Sequence, residues 1–424
     1  MTTTAVPARR LTLSEVGDRQ FAVIEPRACY ALACRGVGVE LELDRLAWAR
    51  HELSAELLVR VDFMGTDAID GILSVARFNV SSARARTERA QQLARQSRAT
   101  EIPWEALIEE LCQRTLAAER TGEPAVALRD VRPSNADETA CLDVFGFSLP
   151  RRHSTVLFGD GGSTKSLLSL YLAGRLAQQG HRVLLADWEM DSVDHRDRYA
   201  TLFGDDLPAT VFYTRCSRPL IHECDRLTRI VRSQTIDFGV FDSVGYACHE
   251  APETAAAALA YFQSRRQIGI GGIDIAHIAR HDQGDQRPFG SAFWHNSARA
   301  TYFLRAAEDA TPKTVGVFCR KHSIARTLPR PFAYEVQAEG DRTTFARVDV
   351  TQVDDLAHRV PIMQRIRAML RAGARTRDQI AEALGEQPDT IRRTLHRAIA
   401  HGHLVRFPGP GGIEQIGLAE RRAS

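Results

Sequence analysis

The sequence predicts an α/β protein with a parallel sheet flanked by helices, preceded by a mixed α+β domain and followed by a winged helix-turn-helix. Three observations support this prediction. Residues 136–350 alternate continuous apolar segments with helical segments, as in parallel sheets that are covered on both faces. Residues 1–135 combine segments of alternating polarity with polar helices. Residues 356–424 are predicted as three helices followed by a hairpin.

The composition is typical of a globular protein with two or three domains. The 424 residues are 44% hydrophobic and 25% charged, and the net charge of +2 favours no class of partner. No apolar run is long enough to span a bilayer, and the polar N-terminus lacks the apolar core of a signal peptide. We therefore expect a cytoplasmic protein that does not associate with membranes.

The eight cysteines are scattered and include no C-x-x-C pair. Cys216, His222 and Cys224 lie close together in the sequence, as the ligands of a metal ion would. Reduced and mostly buried thiols are the simpler interpretation of all eight.

The first domain suggests no chemistry, and its role stays unassigned. Residues 37–43 and 57–61 have the period of two that half-buried strands show. Helices are predicted over 81–98, with Ser81 or Ser82 as the N-cap, and over 104–119. The first helix carries several arginines that would either contact a phosphate backbone or form a solvated face, namely Arg84, Arg86, Arg89, Arg95 and Arg98.

The central region contains seven strand candidates, at residues 154–158, 182–186, 211–213, 238–242, 273–278, 300–304 and 314–319. A helix over 165–179, ended by Gly180, connects the first two strands.

A glycine-rich loop follows the first of these strands in the segment HSTVLFGDGGSTKS, residues 153–166. Glycines let backbone N–H groups turn inward around an anion, while Lys165 can reach the outer phosphates and the hydroxyl of Ser166 can ligate Mg²⁺. The helix is predicted to begin at Ser163. The match to the phosphate-binding motif is imperfect because Thr164 replaces a glycine. The alternative to a phosphate-binding loop is a glycine turn with a solvated lysine. The candidate nucleotide-binding residues are Gly159, Asp160, Gly161, Gly162, Ser163, Thr164, Lys165 and Ser166.

Two further strands end in carboxylates that phosphoryl transfer could use. Asp242 ends the segment VFDS and would hold Mg²⁺ together with Ser166, although a turn aspartate at the strand end is the alternative. Glu189 follows the strand 183–187 and could polarise a water molecule for attack on a phosphate. Asp187 and Asp191 are rivals for that role, or are surface carboxylates.

Residues 140–335 resemble the RecA-like P-loop ATPases, and the branch with DnaB-type and plasmid RepA-type helicases matches best. The resemblance is carried by the glycine-rich loop, D-W-E-M at 187–190, V-F-D-S at 240–243 and I-A-H-I-A-R at 275–280. It implies ATP and Mg²⁺ as ligands, Lys165 and Glu189 as catalytic residues with Glu189 the base, and His277 as the sensor of the γ-phosphate. A buried, hydrogen-bonded histidine is the alternative for His277.

The resemblance also implies a homo-oligomer with its sites between subunits. Arg280 occupies a basic position of the family, and residues 288–291 with 296–299 resemble its next loop, which leads into a strand at the DNA-facing side. The chain departs from the family in two places. Thr164 adds a side chain where the backbone approaches phosphate. The K-x-R pair that enters a neighbour's site is here Lys321-His-Ser, so that Arg320 or Arg326 would either substitute for the missing arginine or be surface residues.

The last region has the sequence signals of a winged helix. Helices are predicted over 360–371, from the capping box Thr376-x-x-Gln379 to Gly385, and from Pro388 to about His401. Residues 359–424 contain twelve Arg, no Lys and six acidic residues, a net charge of +6 that is typical of duplex binding. The third helix assigns Ile391, Leu395 and Ile399 to the core. Its other face would meet DNA, or a protein partner, through Thr390, Arg392, Arg393, His396 and Arg397.

These features predict an ATP-hydrolysing, DNA-associated protein of replication or recombination, helicase-like or remodelling DNA. The alternative is a DNA-binding regulator or replication initiator that uses ATP as a binding switch. A metabolite kinase is a more distant third, because no motif for an acceptor substrate is recognised.

Overall fold

The computed structural model describes residues 11–24, 29–122, 125–131, 140–159, 161–278, 288–289, 292–308, 310–325, 327–409 and 412–419. The chain divides into two compact units, Met1–Asn135 and Ala136–Ser424. Of the residues singled out from the sequence, Asp160, Arg280, Gly290, Ser291 and Arg326 lie outside the described residues.

The first unit has the mixed α+β character that was predicted. Its strands form a five-stranded antiparallel sheet in chain order. The strands are β1 Arg19–Ile24, β2 Cys29–Cys34, β3 Val39–Ala49, β4 Glu52–Val61 and β5 Ile72–Asn79, and the helices are α1 Ala83–Ser97 and α2 Trp104–Thr121. Ser82 caps α1 by accepting a hydrogen bond from the backbone N–H of Ala85.

The arginines of this helix mostly contact groups of their own unit. Arg86 pairs with Glu109 at 2.9 Å, and Arg89 is buried and donates to the carbonyl of Ala76. Arg84 and Arg98 pair with nearby carboxylates. Ion pairs within the first unit therefore neutralise part of the positive charge of α1 that would otherwise attract a phosphate backbone.

The second unit contains a nine-stranded sheet and a small hairpin. The hairpin is β6 Cys141–Val144 with β7 Phe147–Pro150. The sheet is formed by β8 Ser154–Gly159, β9 Val183–Asp187, β10 Val211–Arg215, β11 Phe238–Asp242, β12 Gly271–His277, β13 Ala300–Ala306, β14 Lys313–His322, β15 Phe332–Glu339 and β16 Arg342–Val348. Its order is β10-β9-β11-β12-β8-β13-β14-β15-β16.

The first six strands of this order run parallel, whereas β14, β15 and β16 are antiparallel to their neighbours. The predicted α/β class, with a parallel sheet flanked by helices, is thereby confirmed. Strand β14 was predicted, but its antiparallel direction was not, and β15 and β16 were not predicted at all. These three strands are called the antiparallel extension below.

Helices cover both faces of the sheet. They are α3 Lys165–Gln178, α4 Ser192–Phe203, α5 Leu220–Ser233, α6 Val244–Ala247, α7 Ala255–Ile268, α8 Ala292–Ser297 and α9 Asp354–Ala357. Neighbouring residues of β9 belong to different apolar clusters, Leu184 with α5 and α7, and Leu185 with α3. Because successive strand residues point to opposite faces, continuous apolar strands are what such a sheet requires.

The last part of the second unit is the predicted set of three helices and a hairpin. Its elements are α10 Ile362–Arg371, α11 Arg377–Leu384, α12 Pro388–Ala400, β17 Leu404–Pro408 and β18 Glu414–Leu418. Thr376 and Gln379 form the capping box, and Gly385 ends α11 in the left-handed conformation. Ile391 and Leu395 are buried as expected, with Ala398 beside them, while Ile399 is partly buried.

Within the described part of the chain, none of the helices combines the length and apolar character that crossing a bilayer requires.

A buried ion pair ties α7 to the centre of the sheet. The Nε of Arg265 donates to Oδ1 of Asp274 at 2.8 Å, and the hydroxyl of Tyr261 donates to the same oxygen at 2.7 Å. The guanidinium also lies 3.6 Å from the centroid of the Phe241 ring. Both charged side chains are almost fully buried, so each depends on the other for compensation.

Substituting Asp274 tests this dependence. Asp274→Ala would leave a buried guanidinium without its carboxylate, and we expect the free energy of unfolding to fall by about 3–5 kcal/mol. Chemical denaturation of the full chain measures the change. The matched control is Asp225→Ala, which breaks an exposed pair with Arg229 on α5 and should cost less than about 1 kcal/mol. Equal losses of unfolding free energy in Asp274→Ala and Asp225→Ala would contradict the conclusion that Arg265 depends on Asp274.

Candidate functional site

The ends of strands β8, β9, β11 and β12 meet at one edge of the sheet, where a cavity of about 440 Å³ opens. Parallel strands place their carboxyl ends at the same edge, which is where α/β proteins bind ligands. The described residues that line the cavity are Gly161, Gly162, Thr164, Lys165, Ser166, Leu167, Glu189, Arg198, Thr201, Ile275, His277, Lys313 and Thr343.

The glycine-rich loop after β8 is closely packed. A Cβ at Gly159 would lie 2.2 Å from the carbonyl oxygen of Leu304 on β13, so only glycine fits at this strand end. Gly162 has φ +77°, a conformation that glycine adopts without strain. Lys165 is buried and its ammonium donates to the carbonyl of Gly159 at 2.9 Å and to the hydroxyl of Ser163 at 3.2 Å. A cation is therefore held inside the turn of the loop.

Thr164 stands in the left-handed conformation, with φ 56° and ψ 23°. A β-branched residue rarely adopts this conformation, which explains why glycine is expected at this position. Helix α3 consequently begins at Lys165, as the predicted range 165–179 has it, and not at Ser163, the start inferred from the motif. The hydroxyl of Thr164 is 3.0 Å from that of Tyr334 on β15, and the Tyr334 hydroxyl is 3.4 Å from the carbonyl of Ser163. The antiparallel extension thus holds the unusual residue in place.

Asp242 lies at the end of β11 and is 3% exposed. Burial raises the pKa of its carboxyl to about 6, with the negative charges of Glu189 and Asp187 adding to the shift, and a hydrogen bond with Ser166 opposes it. Among the described residues, its Oδ1 atom has no hydrogen-bond partner. A buried acceptor oxygen without a partner beside the Ser166 hydroxyl suits a cation.

Glu189 lines the cavity and is oriented by Ser243, whose hydroxyl donates to the glutamate Oε1. Ser243 follows Asp242 directly and is buried. The sequence shows both residues, but only the structure shows that one positions the other. The Glu189 carboxylate therefore faces the glycine-rich loop across the cavity with one oxygen fixed.

The two rivals of Glu189 have other partners. Asp187 is fully buried and accepts from the backbone N–H groups of Glu189 and Met190, and it lies 3.1 Å from the ring of His195. Asp191 caps α4 by accepting from two backbone N–H groups, and these bonds hold the pKa of its carboxyl below the usual range. Both carboxylates shape the turn that presents Glu189 to the cavity.

His277 ends β12 beside the end of β8 and lines the same cavity. Its side chain is exposed, so it is not the buried histidine considered as the alternative. Partial burial lowers the pKa of His277, and the positive charge of Lys165 lowers it further, against the opposing charge of Glu189. The imidazole is therefore neutral at pH 7, with one N–H available to donate.

Four polar or charged residues of the lining were not singled out from the sequence. Arg198 and Thr201 come from α4, Lys313 from the start of β14 and Thr343 from β16. A Cβ placed on Gly162 would lie 3.9 Å from the ammonium of Lys313, so a second lysine lies close to the loop. No motif marks these residues, because distant segments bring them to the cavity.

Lys321, considered above as the lysine that enters a neighbour's site, is engaged within its own chain. Its ammonium donates to the carbonyls of His295 and Asn296 at the end of α8, at 3.0 and 2.8 Å. Arg320 lies 5.4 Å from the centroid of the Phe303 ring. Strand β14 places Lys321 at the edge of the sheet opposite to the glycine-rich loop, beside the start of β13.

On α12, the residues assigned to a partner are exposed, namely Thr390, Arg392, Arg393, His396 and Arg397. Arg392 forms an exposed ion pair with Asp389 at 3.0 Å. These side chains form one face of the helix, separate from the cavity at the edge of the sheet.

No protein-family model matches the chain, and no curated protein matches it either. Among solved structures, a KaiC-like protein from the hyperthermophilic archaeon Pyrococcus horikoshii is similar over 47% of this chain and 91% of its own length. The identity is 16% and the TM-score is 0.38. A similarity of this size has no bearing on what this chain binds.

Asp242→Asn tests the cost of burying the carboxylate. The folded-state pKa of about 6 lies above the ordinary aspartate value of 3.8, so the carboxyl's contribution to stability is lost as the pH rises through 6. We expect the ligand-free variant to gain about 3 kcal/mol in the free energy of unfolding at pH 7, and less as the pH falls toward 4. Urea unfolding across this pH range measures the gain. Asp191→Asn, which keeps the cap and removes a lowered pKa, should show no such gain, and a pH-independent difference for Asp242→Asn would contradict the assignment.

Proposed function

We propose that this chain binds ATP with Mg²⁺ and hydrolyses it. One observation carries the proposal. One cavity is lined by a glycine-rich loop with an enclosed lysine and by an oriented glutamate, and a buried carboxylate pairs with the serine hydroxyl of the same lining. Phosphoryl transfer needs these three elements, which are a phosphate cradle, a metal anchor and a group that positions water.

The residues present suit Mg²⁺. Asp242 offers a buried oxygen without a partner among the described residues, and Ser166 offers the hydroxyl beside it. Mg²⁺ commonly takes one or two protein oxygens and completes its ligands with phosphates and water. Bound there, the ion would neutralise negative charge on the phosphates. Ser166 and Asp242 would hold it, and Lys165 would leave the carbonyl of Gly159 to contact a phosphate.

Glu189 is the group that would accept a proton from the attacking water. Ser243 fixes one of its oxygens, which leaves the other directed to the cavity for a water molecule. His277 would donate a hydrogen bond from its neutral ring to the terminal phosphate, as the resemblance to RecA-like ATPases implies. The functions of the individual residues follow from this arrangement and are separable by substitution.

Lys165→Ala and Glu189→Gln separate binding from turnover. Without its ammonium the loop should lose most nucleotide affinity, whereas Glu189→Gln should bind ATP and lose about 10²–10⁴-fold in turnover. Equilibrium binding of a fluorescent ATP analogue and phosphate release measure the two effects. Asp191→Asn is the matched control near Glu189, because asparagine also caps helices, and its turnover should stay near that of the wild type. Unchanged nucleotide binding in Lys165→Ala would refute the phosphate-loop assignment.

We further propose that the chain associates with DNA through α12 and acts in replication or recombination as an oligomer. The exposed arginines of α12 and the net charge of +6 over residues 359–424 support this. A regulator or initiator that uses ATP as a binding switch is the second candidate. Stimulation of ATP turnover by DNA favours the ATPase of replication or recombination. Tight ATP binding with negligible turnover favours the regulator or initiator.

Arg393→Ala with Arg397→Ala tests the DNA contact of α12. If both side chains contact phosphates, duplex affinity should fall and the slope of log K against log salt should decrease by about 1.8. Fluorescence anisotropy with a labelled duplex at several salt concentrations measures both. Thr390→Ala, which removes no charge, should leave the slope unchanged. Wild-type affinity in the arginine variant would show that α12 does not bind DNA.

A further inference from the structure

A second cavity, of about 730 Å³, lies between the antiparallel extension and helix α10 of the second unit. Four arginines line it, and they come from three different segments. Arg330 precedes β15, Arg347 lies on β16, and Arg367 and Arg371 lie one turn apart on α10. This cavity is called the arginine cleft below.

Among the residues that the structure describes, carboxylates do not compensate the charges of the arginine cleft. Asp349 is the single carboxylate among the described residues that line it, and its Oδ1 already accepts from the N–H and the hydroxyl of Thr351. Among the described residues, none of the four arginines forms an ion pair with a carboxylate. By contrast, the neighbouring Arg365 on α10 pairs with Glu386 at 2.7 Å and donates to the carbonyl of Leu384.

Four guanidinium groups around one cavity repel each other unless an anion lies between them. Guanidinium groups match phosphate oxygens through paired N–H donors, which makes arginine a common phosphate ligand. The cleft is also far larger than a single phosphate group needs. We propose that the arginine cleft binds the sugar–phosphate backbone of DNA, a contact separate from that of α12. This deepens the proposed association with DNA, and it does not depend on ATP hydrolysis.

Two strands connect this cleft with the cavity at the glycine-rich loop. On β16, Thr343 lines the nucleotide cavity and Arg347 lines the cleft, about 13 Å further along the strand at the usual rise per residue. On β15, Phe332 lines the cleft, and Tyr334, two residues further, contacts Thr164 of the loop. A phosphate chain in the cleft would therefore contact the same strands that hold the loop.

The test measures binding of fluorescent oligonucleotides to the full chain without nucleotide. Arg367→Gln with Arg371→Gln removes two charges from α10 and should weaken binding of a 30-base single strand at least tenfold. The slope of log K against log salt should decrease by about 1.4, or by about 1.8 for a duplex. Arg196→Gln with Arg266→Gln is the matched control, because both are exposed arginines of the same unit outside the cleft.

Arg330→Gln is a second variant, which removes a charge on the side of the cleft that faces α10. It replaces the α10 variant in the test if thermal unfolding shows that the α10 variant does not fold. It should weaken binding in the same direction. Wild-type affinity in both cleft variants overturns the proposal, and so does a loss of affinity with an unchanged salt slope.

The arms of the experiment separate this inference from the proposed function. The assay contains no ATP, so failure of ATP hydrolysis leaves its result unaffected. If the α12 variant abolishes DNA binding while the cleft variants bind normally, DNA association stands and the cleft contact is wrong.

Discussion

The cost of burying the Asp242 carboxylate is the constraint on which the site depends. Strand β11 lies between β9 and β12, with apolar clusters on both faces, so its last residue is taken out of water. Burial raises the pKa of that carboxyl to about 6, and one hydrogen bond with Ser166 opposes the shift only in part. A cation at this position would recover the lost solvation. Burial of this carboxylate therefore costs stability, and the Mg²⁺ ion proposed above would offset that cost.

A second constraint lies in the backbone of the glycine-rich loop. Thr164 has φ 56°, which costs a non-glycine residue on the order of 1–2 kcal/mol. The hydroxyl that the threonine brings is also the group that meets Tyr334, at 3.0 Å. Glycine would relieve the backbone but would lose this contact with β15. The antiparallel extension thus supplies Tyr334, whose hydroxyl contacts the threonine that replaces the usual glycine.

The sequence predicted what short segments determine. The order of strand, loop and helix around residue 159, the capping box at Thr376 and Asp242 at the end of its strand all depend on neighbouring residues. Tyr334 meets Thr164 across 170 positions, and no local pattern reports such a contact. The choice among Asp187, Glu189 and Asp191 likewise needed hydrogen-bond partners, because all three are carboxylates at one strand end.

Contacts between distant segments also decide which cationic side chains lie at the cavity. Lys321 donates to two carbonyls at the end of α8, so reaching a neighbouring subunit would break both hydrogen bonds. Lys313, at the other end of the same strand, lies beside Gly162, and Arg198 lines the cavity from α4. With Lys165, one chain thus brings three cationic side chains to the cavity. The antiparallel extension is therefore one of the elements that supply positive charge to the cavity.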